Sequence, residues 1–158
     1  MKLTEIIQPD SIVAPLGTTD RDEVITGLIN LLIETGAAPA SIKDDLIERV
    51  LERERKHSTG FGRGVAVPHV KHPDIKQITA AIGISAEGID FNSLDKQPVY
   101  TVFLLLSPQD RPEEHLQAME VIFKNLSKDT FRRYLRQAGT KAEIHQLLDD
   151  ADNHRLGG

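Results

Sequence analysis

Gly60-Phe61-Gly62-Arg63-Gly64-Val65-Ala66-Val67-Pro68-His69 decides how the rest of the chain is read. A glycine-rich loop leads into an apolar strand over Gly64 to Val67. Pro68 stops the strand and a histidine follows at once. This order predicts an imidazole at the end of a buried strand, held by the core and reachable from solvent. A histidine so placed suits proton transfer, metal binding or covalent chemistry.

The flanking residues narrow that choice. Gly60, Gly62 and Gly64 form G-x-G-x-G and precede a strand. A dinucleotide fingerprint is G-x-G-x-x-G, follows a strand and opens a helix. The glycines therefore read either as a mobile turn or as a loop whose backbone N–H groups can approach an anion. His69 and His72 form H-x-x-H, but Pro68 and Pro73 bracket them and oppose a helix. The prolines thus argue against a metal pair, and His72 reads as an exposed loop residue.

Outward from this stretch, helices precede and follow a cluster of strands. Asp20 and Glu23 have capping-box spacing before Val24, Ile25, Leu28, Leu31 and Leu32. A second helix opens at Ser41, with Ile42, Leu46, Ile47, Val50 and Leu51 on its apolar face, and ends in Glu52-Arg53-Glu54-Arg55-Lys56. After the loop His57–Arg63 and the strand already named, Ile78–Ile84 reads as a strand ended by the turn Ala86-Glu87-Gly88. Ile89–Phe91 reads as a short edge strand. Val99–Leu106, β-branched and apolar on both faces, reads as central and covered on both sides. Pro112 suits the first turn of a helix carrying Leu116, Met119, Ile122, Phe123 and Leu126. Asp129–Arg136 forms another helix. Thr140 with Glu143 opens a last one through Leu148. The pattern is α/β: a mixed sheet of about five strands flanked by helices.

The 158 residues fit one domain, drawn over 1–150 with a polar tail over 151–158. A hydrophobic fraction of 39% is enough for a proper core, and a net charge of -5 opposes sequence-independent nucleic-acid binding. Arg132, Arg133 and Arg136 sit among acids and read as a solvated helix face. The lack of cysteine excludes disulfide scaffolds, thiol catalysis and cysteine-based zinc sites, and fits a cytoplasmic protein. No signal-peptide core and no membrane-spanning run is visible; the longest apolar run is Val102–Leu106.

Two further residues carry possible chemistry. His115 lies in the first turn of the helix after the central strand. Its position alone favours an ordinary exposed residue. The alternative is an imidazole whose pKa is lowered at a helix N-terminus that also favours anions. Arg53 reads as a solvated helix end or as a guanidinium able to clamp a phosphate.

Leu51-Glu52-Arg53-Glu54-Arg55 and Ser58-Thr59-Gly60 through His69 together closely resemble the active-site segment of enzyme IIA of the bacterial phosphotransferase system. The type is the fructose/mannitol one, which includes the nitrogen-regulatory enzymes IIA. The resemblance continues through Gly88-Ile89-Asp90-Phe91, Asp95-Lys96-Gln97-Pro98-Val99, Leu104-Leu105-Leu106 and His115-Leu116, from about Ile6 to Leu148. It departs at Val70, where the family usually has a small residue, commonly glycine.

The resemblance implies a three-layer sandwich, the phosphotransferase/anion-transport-protein fold. It implies a phosphoryl carrier in which His69 takes phosphate from an HPr-like carrier and holds it as a tele-phosphohistidine. By the same resemblance His115 hydrogen-bonds the phosphoryl group and Arg53 neutralises its charge. Ser58, Thr59, Gly60 and Gly62 form a candidate phosphate loop. No cofactor or metal is implied. Two roles compete: a nitrogen or metabolic regulator acting on target proteins, and a sugar-specific enzyme IIA passing phosphate to a IIB component. A binding module without phosphoryl transfer is a third. The absence of an attached IIB, IIC or HPr domain and the segment Glu87–Val99 lean toward regulation.

Overall fold

The computed structural model describes residues 1–156. The described elements are helix α1 (Leu3–Ile6), strand β1 (Ile12–Val13), helices α2 (Arg21–Glu34) and α3 (Lys43–Lys56), strands β2 (Gly60–Gly62), β3 (Val65–Ala66), β4 (His69–His72), β5 (Thr79–Ile89) and β6 (Val99–Pro108), then helices α4 (Pro112–Leu126), α5 (Asp129–Gln137) and α6 (Lys141–Asp152). Asp20 caps α2 by accepting from the Glu23 N–H at 3.0 Å, and Thr140 caps α6 by accepting from the Glu143 N–H at 3.2 Å. Pro112 sits in the first turn of α4. The second long helix starts later than its spacing predicts. A 3-10 turn over Ala40–Ile42 precedes α3, which has no side-chain cap.

One mixed sheet runs in the order β1-β5-β6-β3-β2. Strand β6 pairs antiparallel with β5 along one edge. Along its other edge it pairs parallel with β3, Val65 opposite Thr101, and then with β4, His69 opposite Leu105. Between β3 and β4 the chain bends at Val67-Pro68. Pro68 has no N–H to offer, but its carbonyl accepts from Leu105 N–H at 2.9 Å and keeps the edge closed.

The pleat sends alternate residues of β6 to opposite faces. Phe103 and Leu105 enter a core beneath α1, α4, α5 and α6, with Ile122, Phe131, Leu135 and Ile144. Val102, Leu104 and Leu106 enter a second core beneath α2 and α3, with Ile25, Ile29, Leu46 and Phe91. All five β6 side chains are fully buried. The three-layer α/β class holds, with six strands among the described residues rather than about five.

Local composition does not show the extra strands, one of them made by a tight hairpin and one by long-range pairing. Gly60–Gly62 pairs with β3, and His69–His72 pairs with β6. The segment Ala86-Glu87-Gly88 is not a turn between two strands. It is an irregularity inside the single strand β5, with Gly88 at φ 96° and its N–H bonded to Ser85 Oγ. No separate edge strand forms over Ile89–Phe91: Ile89 closes β5 and Phe91 is buried outside any strand.

Helix α6 runs four residues past Leu148. Ala151 packs into the first core, so the helix overlaps the start of the tail drawn at residue 151. Gly157 and Gly158, at the end of that tail, lie outside the described residues. The Asp152 carboxylate accepts from the N–H groups of Leu3 and Thr4, at 2.7 and 3.0 Å, and from the Thr4 hydroxyl at 2.7 Å. It thereby satisfies donors that open α1. Asp152→Ala leaves these partly buried donors unpaired and is expected to cost about 1–3 kcal/mol, read as a lower urea midpoint with an unchanged slope.

Candidate functional site

His69 opens β4, half-buried, opposite Leu105 on the face of the α4 layer. Its Nδ1 lies 2.8 Å from the Val67 carbonyl oxygen. A carbonyl only accepts, so Nδ1 carries the proton and the neutral ring keeps its lone pair on Nε2. The bend at Pro68 makes this bond possible, because it brings the carbonyl two residues back alongside the ring.

The second imidazole comes from α4. His115 is buried, and its ring centroid lies 5.6 Å from that of His69 with the planes tilted by 51°. Ser107, near the end of β6, places its Oγ 2.7 Å from His115 Nδ1. When the hydroxyl donates there, Nε2 of His115 carries a proton that it can donate to an anion. The exposed reading favoured by position alone is therefore replaced by a buried ring paired with His69. Ser107 could not be found from spacing, because its role depends on the strand and the helix meeting in space.

Both imidazoles are shifted toward neutrality. Burial lowers the His69 pKa, the Val67 carbonyl bond opposes this, and the charges of Arg53 and Lys71 lower it further. Burial, then the charges of His69 and Lys71, bring His115 down to about 4. Lys71 follows His69 by two residues in a strand and therefore shares its face. That spacing is a signal the sequence held. Arg53 is exposed in the last turn of α3, close enough for its charge to act on His69.

The candidate phosphate loop is internally bonded. The Ser58 hydroxyl donates to the Phe91 carbonyl and accepts from Gly60 N–H. The Thr59 N–H and hydroxyl both donate to the buried Glu54 carboxylate, at about 3 Å. Burial raises the Glu54 pKa against these bonds. Ser58 and Thr59 thus hold the turn from α3 into β2. Gly62 has a φ of 111°, with Asp95 against the position a Cβ would take.

His72 is not an exposed loop residue. Along β4 the pleat puts Val70 and His72 on the face opposite His69 and Lys71. His72 is buried against α3, where Asp74 N–H donates to its Nδ1 at 3.0 Å and its Nε2–H donates to Asp45 at 2.7 Å. That bond, with a second one from Arg49, lowers the Asp45 pKa. His69 and His72 therefore cannot share a ligand. Val70 packs into the core beneath α2 and α3 and turns away from the His69 ring. Among the described residues no group of three or more histidine and carboxylate side chains is arranged to hold a metal, and no helix is long and apolar enough to cross a membrane.

A family model for the phosphoenolpyruvate-dependent sugar phosphotransferase system, EIIA 2, matches residues 5–151. The chain belongs to this family. The nitrogen regulatory protein of Pseudomonas aeruginosa is 30% identical over 154 residues, covering 97% of this chain and 98% of its own length. The fructose-specific EIIA component of Haloferax volcanii is 31% identical over 128 residues, covering 81% and 82%. The chain also matches a fructose-specific EIIABC component of Bacillus subtilis at 28% identity, and there it spans only 24% of that protein's length. Among solved structures, the nitrogen regulatory protein IIA-Ntr of Neisseria meningitidis superposes with a TM-score of 0.83 at 28% identity, covering 92% of this chain and 98% of that one. The three-layer sheet is thus the EIIA family's fold.

The lowered His115 pKa has a pH consequence. The unfolded ring titrates near 6.5 and the folded ring near 4. Its contribution to stability is complete above pH 6.5 and is lost as the pH falls through about 4. In an NMR titration the His115 ring resonances are expected to hold steady from pH 8 to pH 5.5 and to move only below. A midpoint near 6.5 would contradict the buried, His69-facing placement.

Proposed function

We propose that this protein is a phosphoryl carrier of the phosphotransferase system, with His69 Nε2 as the acceptor atom. The supporting observation is the 2.8 Å bond from His69 Nδ1 to the Val67 carbonyl. It leaves the lone pair on Nε2 and fixes the ring, while the lowered pKa keeps the ring neutral and nucleophilic. The donor is the phosphohistidine of an HPr-like carrier protein. Its N–P bond breaks as the bond to Nε2 forms. The Nδ1 proton stays on the carbonyl bond, so no separate base is required. Catalysis then rests on position and charge.

His115 supplies a hydrogen bond to the phosphoryl oxygens from a neutral ring, which adds no charge that would hold the group too tightly. Arg53 and Lys71 supply positive charge from the rim. The loop from Ser58 to Gly62 positions β3 and the Pro68 bend, with its backbone groups as further contacts for the anion.

The regulatory branch is the favoured role. The nitrogen regulatory relative matches nearly end to end, and the solved IIA-Ntr superposes over most of its length. Such a protein acts through target proteins that distinguish its phosphorylated and free forms, in the cytoplasm where HPr-like carriers occur. The sugar-uptake role is kept as a second reading because a fructose-specific EIIA component matches at 31% identity. There the phosphoryl group passes to a IIB component.

His69→Ala is expected to abolish labelling by a phosphorylated HPr-like carrier while the circular dichroism spectrum is kept. The wild-type label is expected to be acid-labile and alkali-stable. His115→Ala and Arg53→Ala are expected to slow transfer on the order of a hundredfold with His69 still labelled. Equal labelling of the His69→Ala protein would overturn the assignment. The two roles separate when labelled protein meets a purified fructose-type IIB: rapid loss of label supports uptake, and retention supports regulation.

A further inference from the structure

Of the arginines of α5, Arg133 and Arg136 are exposed, as their sequence suggests, while Arg132 is half-buried. Arg132, Arg133 and Arg136 line a cavity of about 580 Å³ together with Asp129, Gln137 and Arg63, which arrives from the β2–β3 turn. That volume lies within the range of small-molecule sites. Four arginines and one aspartate line it, in a chain whose net charge is -5.

The arginines are held to different degrees. Arg132 donates to the Leu126 carbonyl at 2.7 Å and reaches Asp129 at 3.3 Å. Arg133 reaches the same carboxylate at 3.5 Å. Arg136 lies over the Tyr100 ring, 3.6 Å from its centroid, a stacking that fixes the guanidinium without neutralising it. Arg63 has a φ of 60°, a conformation more natural to glycine or asparagine, and its N–H is tied to Asp95 at 3.0 Å. Among the described residues neither Arg63 nor Arg136 forms an ion pair.

We infer that this cavity binds a small polyanion, a molecule bearing at least two clustered phosphate or carboxylate groups. Guanidinium forks, two of them restrained by the Leu126 carbonyl and the Tyr100 ring, match the oxygens of such groups in pairs, and a single Asp129 leaves most of the arginines' charge unanswered. The site is separate from the phosphoryl acceptor. Tyr100 precedes Leu105, the partner of His69, by five positions on β6, roughly 16 Å at a strand's rise. Arg63 is nevertheless joined to His69 through β3, so occupancy acts on the same strand edge that holds the imidazole. This inference does not depend on the phosphoryl-carrier role.

The test is calorimetric titration and thermal unfolding of the full chain with sodium tripolyphosphate, ATP without divalent metal, and citrate. At least one is expected to bind with an affinity that weakens as salt rises and to raise the unfolding temperature. Tripolyphosphate and ATP bound alike would identify the phosphate cluster as the determinant; preference for citrate would identify carboxylates. Arg63→Asn, which suits the positive φ and so keeps the fold, and Arg136→Gln are each expected to weaken binding at least tenfold. Arg136→Lys, which keeps the charge and loses the fork, is expected to recover only part of it. Failure of all three anions to bind, or equal binding by Arg63→Asn and Arg136→Gln, would overturn the proposal. So would capture of an acidic protein by these arginines from a solution in which none of the three anions binds.

Discussion

Strand β6 is the constraint on which the rest depends. It has hydrogen-bonding partners along both edges and apolar side chains on both faces, so neither its depth nor its register is free to drift. One edge aligns His69 with Leu105. Its C-terminal end carries Ser107, which holds the His115 ring. Two imidazoles from separate elements are therefore set against one another by the same strand. A one-residue slip would turn Ser107 away from His115 and carry Leu105 from one core into the other.

Around that strand, small polar contacts finish what packing begins. The Val67 carbonyl chooses the tautomer of His69, and Glu54 ties Thr59 to the end of α3. The order of preference is physical. Burial removes water from both rings, and the nearby cations then make a further proton harder to accept. Neutral rings follow without any acid group touching them. The same two rings would behave differently on an exposed helix and loop, where water would return their ordinary basicity.

What could be read from the chain and what could not divide along the range of the interactions. The capping residues Asp20 and Thr140, the break at Pro112 and the doubly apolar run to Leu106 are local signals, and each marks an element where it stands. The short strand at Gly60 is a tight hairpin with Val65-Ala66 hidden by its glycines, and the one at His69 is made by pairing with residues some tens of positions away, which nothing local announces. His72 illustrates the cost of judging from proline brackets alone: its strand neighbour β6 and its partner Asp45 are both distant in sequence. Arg63 and Arg136 are likewise ordinary until the β2–β3 turn and α5 meet. His69, the proposed acceptor, was legible because its motif is continuous, whereas Ser107 belongs to a contact between elements.

Val70 follows the proposed acceptor directly and would by position be weighed as part of the same site. Here the strand turns it through to the far side, where it fills space among the aliphatic side chains of the other layer. A change of size at that position would be felt first in the fit of the sheet against α2 and α3, and would reach the imidazole only through the backbone they share.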